Sequence, residues 1–337
     1  MENLYTYSTY VGRYVTTWLY NMNLKRGNQR KGKGDRSENN SQTQKMAVEP
    51  VQIPDDFLPP AVPKEACLQR IDFTKTDPPL LEYKDHFAAV IDNLFTEAEC
   101  KALVQIAEAS SITTGSTTPC WERAMINMGY GRQKLALDAR NCGRIIYDSP
   151  LLAGRIFDRL LPFLKECDIT TLYNRSLVTR LGAVKRGERL KATRLNERLR
   201  FLKYEGGEYF RPHCDGMYMT RDHREKSYFT IHLYLNGDGE QDTDELFHEQ
   251  NRMDVDSSNQ NSMLNNIDNK DPSAKLLGGA TTFLLCSSQS DAVRIFPKTG
   301  SVLVFQHNGL LHAGDDVFRG VKYTMRTDIM YREEKRS

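Results

Sequence analysis

RLRFLKYEGGEYFRPHCDG, residues 198–216, is the stretch from which the rest of the chain can be read. Before Arg198 apolar residues recur at helical spacing; from Arg198 onward the period is two. Residues i and i+2 of a strand point to one face. His213 and Asp215 therefore offer an imidazole and a carboxylate to the same point. Gly206-Gly207 before the pair and Gly216 after it supply turns, and Pro212 suits an edge or strand start. A lone His-x-Asp is common, and a satisfied surface histidine is its ordinary explanation. Here the flanking turns place the pair at a sheet mouth.

Working downstream, the same alternation gives candidate strands at Arg198–Tyr204, Tyr209–Cys214, Ser227–Leu235, Ala280–Cys286, Ala292–Phe296, Ser301–Gln306 and Lys322–Tyr331. Short strands punctuated by Gly and Pro predict an antiparallel double sheet, a double-stranded β-helix or jelly roll. Gly237–Leu277 interrupts them with Asp, Asn, Gln and Ser. A loop of that length is a disordered segment or a lid. The strands flanking it read as sheet neighbours, so the insertion bulges from the rim.

Working upstream, Phe87–Ile91 reads as a strand and Thr96-Glu97-Ala98-Glu99 as a capping box. Cys100, Leu103, Val104 and Ala107 then predict a helix over 96–109. Gly143–Tyr147 reads as a strand, and Ser149-Pro150 as the N-cap and first turn of a helix reaching about residue 165. The fold class expected is α+β, a jelly roll with N-terminal supporting helices. The expected domains are a disordered basic tail (1–50), an extended lead-in (51–80), a support region (81–195) and a catalytic core (196–337) with an acidic insertion (237–277). Asn23 to Gln44 has almost no aliphatic residue and cannot offset its ordering entropy.

Among 337 residues, 46 Lys and Arg nearly balance 44 Asp and Glu. Charge therefore gives no argument for a nucleic-acid or membrane partner, and no apolar run is long enough to span a bilayer. Seven cysteines without a CxxC pair read as reduced thiols. The N-terminus lacks a basic region ahead of an apolar core, and its apolar face is poor for a mitochondrial presequence. A cytoplasmic or nuclear location is expected. The oligomeric state is not legible.

His312 lies in LLHAG, 310–314, near another strand end, and Lys322 opens the last predicted strand. Two imidazoles and a carboxylate on one face, with the remaining positions open, form the ligand set of non-haem Fe(II) oxygenases. Open positions of that kind accept a 2-oxo acid and O2. The far carboxylate of such an acid needs a buried counter-charge. Lys322 is placed for it, and Tyr234 and Thr230, of equal strand parity, are candidate hydrogen-bond donors. Arg326 shares the parity of Lys322 and is the alternative counter-ion; exposure on an edge strand is the plain reading of both. His307 is the rival third ligand. His312 is preferred because Leu310 and Leu311 would bury its turn, leaving His307 just outside the ligands. His232 either lines the same cavity or is a packed, hydrogen-bonded histidine.

Residues 198–331 resemble the catalytic domain of the prolyl 4-hydroxylase-type Fe(II)/2-oxoglutarate-dependent dioxygenases. The matching pieces are RLRFLKYEGGEYF (198–210), PHCDG (212–216), TIHLYLN (230–236), GGATTF (278–283), PKTGSVLVF (297–305) and LHAG (311–314) through GVK (320–322). Residues 81–170 resemble, less tightly, the helical region that precedes that core. The resemblance implies that His213, Asp215 and His312 hold iron. It implies that Lys322 binds the 5-carboxylate of 2-oxoglutarate with help from Tyr234, and that Tyr204 approaches the cosubstrate. Fe(II), 2-oxoglutarate and O2, with L-ascorbate as an accessory, are the implied cofactors. The implied reaction decarboxylates 2-oxoglutarate to succinate and CO2 and hydroxylates an unactivated C–H bond. Two departures concern the rim: the long insertion, and Ala280 where the family usually has an acidic residue. The intact Asp215 argues against a halogenase.

The substrate expected is a peptide, perhaps at a prolyl residue, or a small molecule. Arg140, Asn141, Arg144 and Trp121 are candidates for its wall, against ordinary surface or core placement. The alternative of another class is a non-catalytic or hydrolytic metal-binding jelly-roll module, for instance zinc with an activated water. Lys322 and Tyr234 speak against it, since a zinc hydrolase does not need them.

Overall fold

Alternation from Arg198 onward decides which side of each strand meets what. The computed structural model of the chain describes residues 51–113, 115–127, 132–258, 271–285 and 291–334. The tail expected at 1–50 and the end of the strand expected at 280–286 lie outside the described residues. The strands that build the site are β1 (Cys67–Arg70), β2 (Ala88–Asp92), β3 (Arg140–Asn141), β4 (Gly143–Asp148), β5 (Thr171–Tyr173), β6 (Arg189–Leu195) and β7 (Arg198–Tyr204). They continue with β8 (Tyr209–His213), β9 (Glu225–Tyr234), β10 (Thr281–Leu284), β11 (Ala292–Ile295), β12 (Val302–Gln306), β13 (His312–Gly314) and β14 (Lys322–Glu333). The helices are α1 (Glu97–Ser111), α2 (Pro150–Glu166), α3 (Ser176–Lys185) and α4 (Thr243–Ser258).

Two antiparallel sheets result. The ten-stranded one runs β1-β2-β12-β9-β14-β7-β4 and ends on a short strand at Glu122–Arg123; β6 pairs with β14 and β5. The five-stranded one runs β11-β10-β13-β8-β3. On the outer face of the large sheet, Leu199, Phe201, Ile231, Leu233, Val302, Val304, Met325 and Ile329 pack with Leu103, Ile106, Leu152, Ile156 and Leu160 from α1 and α2. Each of these helices shows one apolar stripe at helical spacing, which needs such a cover. The opposite parity faces inward, and its apolar members Tyr234, Leu303 and Phe305 pack with Phe283 of the smaller sheet.

Both helix starts form as their sequences dictate. Thr96 Oγ1 accepts from the Glu99 N–H at 3.2 Å and Glu99 Oε2 accepts from the Thr96 N–H at 2.8 Å. Ser149 Oγ accepts from the Leu152 N–H at 3.2 Å, with Pro150 at the first helical position. The turn just before α1 meets Gly300 closely. A Cβ there would lie 1.9 Å from the Phe95 carbonyl oxygen, and φ is +78°. Only glycine fits that turn.

Two expectations are corrected. The strands flanking the insertion are not neighbours: β9 lies in the large sheet and β10 in the small one. The chain crosses between sheets there, and across the gap Tyr234 Oη donates to Thr281 Oγ1 at 2.7 Å. The insertion is also more than loop, because it holds α4. Asp242 Oδ1 accepts from the N–H groups of Asp244 and Glu245 at 2.8 and 3.1 Å, starting a helix whose polar sequence has no strong apolar period. At its base Gln241 exchanges two hydrogen bonds with the Gly278 backbone, at 3.1 and 2.6 Å.

Arg159 of α2 ties the lead-in to this layer. It is 1% exposed, donates to Glu99 at 2.9 Å and to the Pro59 carbonyl at 2.7 and 3.1 Å, and lies over the Phe95 ring. Removing one partner of a buried pair leaves the other uncompensated. Arg159→Met should lower unfolding free energy by about 3 kcal/mol in urea titrations; a loss below about 1 kcal/mol would show that this pair is not what holds the layer.

Candidate metal centre and its flanking cavity

Two imidazoles come together because two strands pair. β8 and β13 are antiparallel neighbours with His213 opposite His312, and the rings lie 4.4 Å apart. Register shifts between Phe210 and His213. Pro212 sits at that irregularity inside β8, where its missing N–H costs no regular ladder bond. His312 opens a strand that the sequence reading did not anticipate.

Asp215 completes the triangle just past the end of β8. Its Oδ1 lies 3.6 Å from His213 Nε2 and its Oδ2 lies 3.8 Å from His312 Nε2. One ligand atom from each of the three side chains falls within 4.8 Å of the others. The Nδ1–H of His213 donates to the Arg211 carbonyl at 2.9 Å, and that of His312 to the Leu310 carbonyl at 3.2 Å. Those bonds fix the tautomer and turn both Nε2 lone pairs toward Asp215. Burial, then the neighbouring His213, pulls His312 down to about 3, so it is a neutral donor. Burial opposes ionisation of Asp215, but Arg326, His312 and His213 outweigh it and hold the carboxyl well below its usual range. The donor set is thus two imidazole Nε2 atoms and one carboxylate, brought together by the fold, with His312 and Asp215 buried. It suits a divalent cation of the ferrous kind.

The inner face of the large sheet supplies everything else. Along β14, Lys322, Thr324, Arg326 and Asp328 share one parity. Tyr204 of β7 pairs with Lys322, Leu202 with Thr324 and Arg200 with Arg326. On the other side Tyr234 of β9 pairs with Thr324, His232 with Arg326 and Thr230 with Asp328. At one end, Asp215 Oδ2 accepts from Thr230 Oγ1 at 2.5 Å and pairs with Arg326 at 2.8 Å. At the other end stands Lys322, 2% exposed. Its Nζ lies 5.1 Å from the Tyr204 ring centre and 5.8 Å from that of Tyr234. Among the described residues no carboxylate is within ion-pair distance of it. Burial pulls Lys322 down to about 8, with Asp315 opposing. A Cβ at Gly279, whose φ is +70°, would come 3.0 Å from Lys322 Cδ. The glycine leaves room for the lysine stem.

Other expected residues separate. His307 lies outside the triangle, with Nε2 3.6 Å from Asp328 Oδ1. Asp328 also faces Arg200 at 3.3 Å and Arg326 at 3.7 Å. Burial resists its ionisation, but the His307 hydrogen bond and the two guanidiniums bring it down to about 2. This support for Arg326 was missed; the shared parity of residues 322 to 328 was its signal. His232 sits on the inner face opposite Arg326, its ring 4.9 Å from that of Tyr234 and its Nε2 buried without a hydrogen-bond partner. Trp121 does not: its indole donates to Glu108 at 3.0 Å and packs near Tyr323, on the outer face. Asn141 accepts from Arg123 at 3.0 Å. Cys67, Cys100, Cys120, Cys142 and Cys167 are free thiols. Among the described residues no helix is long and apolar enough to cross a membrane.

No protein-family model and no curated protein matches the chain. Solved structures do. A prolyl hydroxylase from Trichoplax adhaerens, in complex with a hypoxia inducible factor oxygen degradation domain peptide fragment, is 14% identical; the match covers 75% of this chain and 86% of that one, TM-score 0.41. A Pseudomonas putida prolyl-4-hydroxylase is 16% identical, over 74% of this chain and 95% of that one, TM-score 0.38. The viral collagen prolyl hydroxylase of Paramecium bursaria Chlorella virus-1, in its 2OG complex, is 16% identical, over 73% and 96%, TM-score 0.36. At these scores and identities the likeness transfers no residue role. These three are prolyl hydroxylases, the kind of protein that residues 198–331 resemble.

Proposed function

We propose that this chain is an Fe(II)- and 2-oxoglutarate-dependent dioxygenase that hydroxylates an unactivated C–H bond, built on a jelly roll formed by the two sheets. The observation that carries this reading is the His213–Asp215–His312 triangle, joined through Asp215 to Thr230 and Arg326 on the inner face of the large sheet, the face that also carries a buried lysine with no ion-paired carboxylate among the described residues. His213, Asp215 and His312 would hold the metal. Bound iron, with 2-oxoglutarate and O2, supplies the conversion of R–H, 2-oxoglutarate and O2 to R–OH, succinate and CO2, with ascorbate serving as an accessory reductant.

The chain's own residues position and protect that chemistry. Lys322 offers an ammonium to the 5-carboxylate, since a buried carboxylate left unpaired would be very costly. Tyr204 and Tyr234 wall the ammonium and exclude water. Thr230 and Arg326 hold one oxygen of Asp215, fixing the carboxylate's orientation. The support region and the lead-in stiffen the sheet from its outer face. On the rim, Met217, Tyr218 and Met219 follow Asp215 closely and are exposed, as are Leu135 and Leu137 on the segment beside β8. Exposed apolar side chains grouped at a site mouth favour a peptide over a small molecule.

Anaerobic Fe(II) titration should give one ion per chain. His213→Ala or His312→Ala should weaken uptake by more than the roughly 10–100-fold that loss of an outer partner costs. Full uptake in either variant contradicts the ligand assignment. Succinate release from 2-oxoglutarate, with Fe(II), ascorbate and air, should be measurable even without a substrate and lost in Lys322→Met. The pH dependence follows from a lysine titrating at about 8. It is cationic below that value and neutral above it, so affinity for the dianionic cosubstrate should be flat up to pH 8 and fall at higher pH. Lys322→Arg, which keeps its charge, should abolish that fall. Affinity that rises through pH 8 would exclude Lys322 as the counter-ion.

A further inference from the structure

Three arginines are buried among the described residues: Arg140, Arg144 and Arg159. Arg159 is fully matched by Glu99 and backbone carbonyls, as shown above. The other two are not. Arg140 and Arg144 are each 7% exposed, and neither makes an ion pair with a described residue. The Nε of each is buried without a hydrogen-bond partner. Arg144 has one long bond, from Nη2 to Gln133 Oε1 at 3.4 Å, and stands opposite the exposed Glu122 in the ladder without an ion pair; the neighbours of Arg140 are the Cys142 thiol, Tyr204 and, beyond ion-pair distance, Asp215. Burial, then the like charge of Arg140, lowers Arg144 from the usual guanidinium value. An arginine nonetheless stays charged in a protein. Two buried guanidiniums side by side with no carboxylate in ion-pair contact are expensive, whereas Arg200 and Arg326 on the same sheet share Asp328.

Their placement is specific. Arg140 lies in β3, the last strand of the small sheet, opposite Phe210 of β8. Its guanidinium is 4.4 Å from the Phe210 ring centre, and that ring stacks on the candidate ligand His213 at 3.6 Å. Arg144 lies in β4, opposite Leu202, so it shares the inner parity of Tyr204, Leu202 and Thr324. The link from β3 to β4 thus carries both guanidiniums from one sheet to the other along the same edge. Ile146, next along the inner face of β4, is 37% exposed, so that end of the face meets solvent. Lys322 lies two strands further in, on the cosubstrate side.

We infer that Arg140 and Arg144 form the receptor for an anionic group on the substrate, a carboxylate or a phosphoryl group, held beside the triad at the open edge of the two sheets. This rests on the dioxygenase reading above and narrows its substrate to one carrying negative charge near the hydroxylated carbon. Paired guanidiniums suit planar, bidentate recognition of such oxyanions. The peptide reading then becomes that of an acidic or phosphorylated peptide.

The test uses the full chain, loaded anaerobically with Fe(II) and saturating 2-oxoglutarate so that the Lys322 end is filled first. Three probes are then titrated by calorimetry: N-acetyl-L-glutamate α-amide, N-acetyl-O-phosphoserine amide and the neutral N-acetyl-L-glutamine amide. At least one anionic probe should bind about tenfold or more tighter than the neutral one, and the preferred anion identifies the source of the charge. Arg140→Gln/Arg144→Gln should erase that preference, and Arg144→Gln alone should weaken it about tenfold; the single variant decides if the double one does not fold. Equal binding of all three probes by the wild-type chain, or a preference undiminished in the variants, overturns the assignment. Failure of the wild-type chain to take up Fe(II) and 2-oxoglutarate in the loading step removes the dioxygenase reading and this inference together. Failure at the anion step alone removes only the arginine receptor.

Discussion

A buried carboxylate, Asp215, is the constraint around which this structure is arranged. It is 8% exposed, and an ionised carboxyl at that depth requires compensation. The chain supplies it from both sheets at once. Thr230 and Arg326 approach from the large sheet, and the two paired imidazoles approach from the small one. The triad is therefore also a clamp between the sheets. Asp328 and Arg200 exist in this scheme to hold Arg326. Each buried charge demands the next, from Asp215 to Arg326 and from Arg326 to Asp328.

That economy divides the inner face into three regions. Around Arg326 charges are balanced by carboxylates. Around Lys322 and around Arg140 and Arg144, no carboxylate of the described residues stands within ion-pair distance. Leaving such cations unmatched costs stability that the apolar outer face must offset, and α1, α2 and the sheet provide an extensive cover there. The inner face gives up packing for polar chemistry, and the outer face holds the fold. The two cation groups sit on different strands, Lys322 inward and the arginines at the open edge, which suits two different anions approaching from different sides.

Much of this was legible in the residues. His213, Asp215, His312 and Lys322 declare themselves through spacing and local turns, and β7 has the bounds that alternation assigns. Helix starts at Thr96 and Ser149 follow from capping chemistry. What escaped was set by partners distant in sequence. His312 belongs to a three-residue strand too short for any period, made a strand by β8 beside it. The strands flanking the insertion share a pattern whether they pair or cross between sheets, so adjacency was misread. Trp121 looked like a substrate wall because sequence does not tell the two faces of the β4 edge apart. The helix in the insertion has capping residues but no apolar stripe. The Asp328 network was visible only as parity, without a reason to prefer charge over exposure.

The central claim is that three side chains hold one ferrous ion while Lys322 anchors a 2-oxo diacid. A crystal structure of the full chain, grown anaerobically with Fe(II) and 2-oxoglutarate, tests it most directly. The account predicts iron bound by Nε2 of both histidines and by Asp215, with the distal carboxylate of the cosubstrate on the Lys322 ammonium. Iron at any other residues, or that carboxylate seated on Arg326 or on the Arg140 and Arg144 pair, would contradict it.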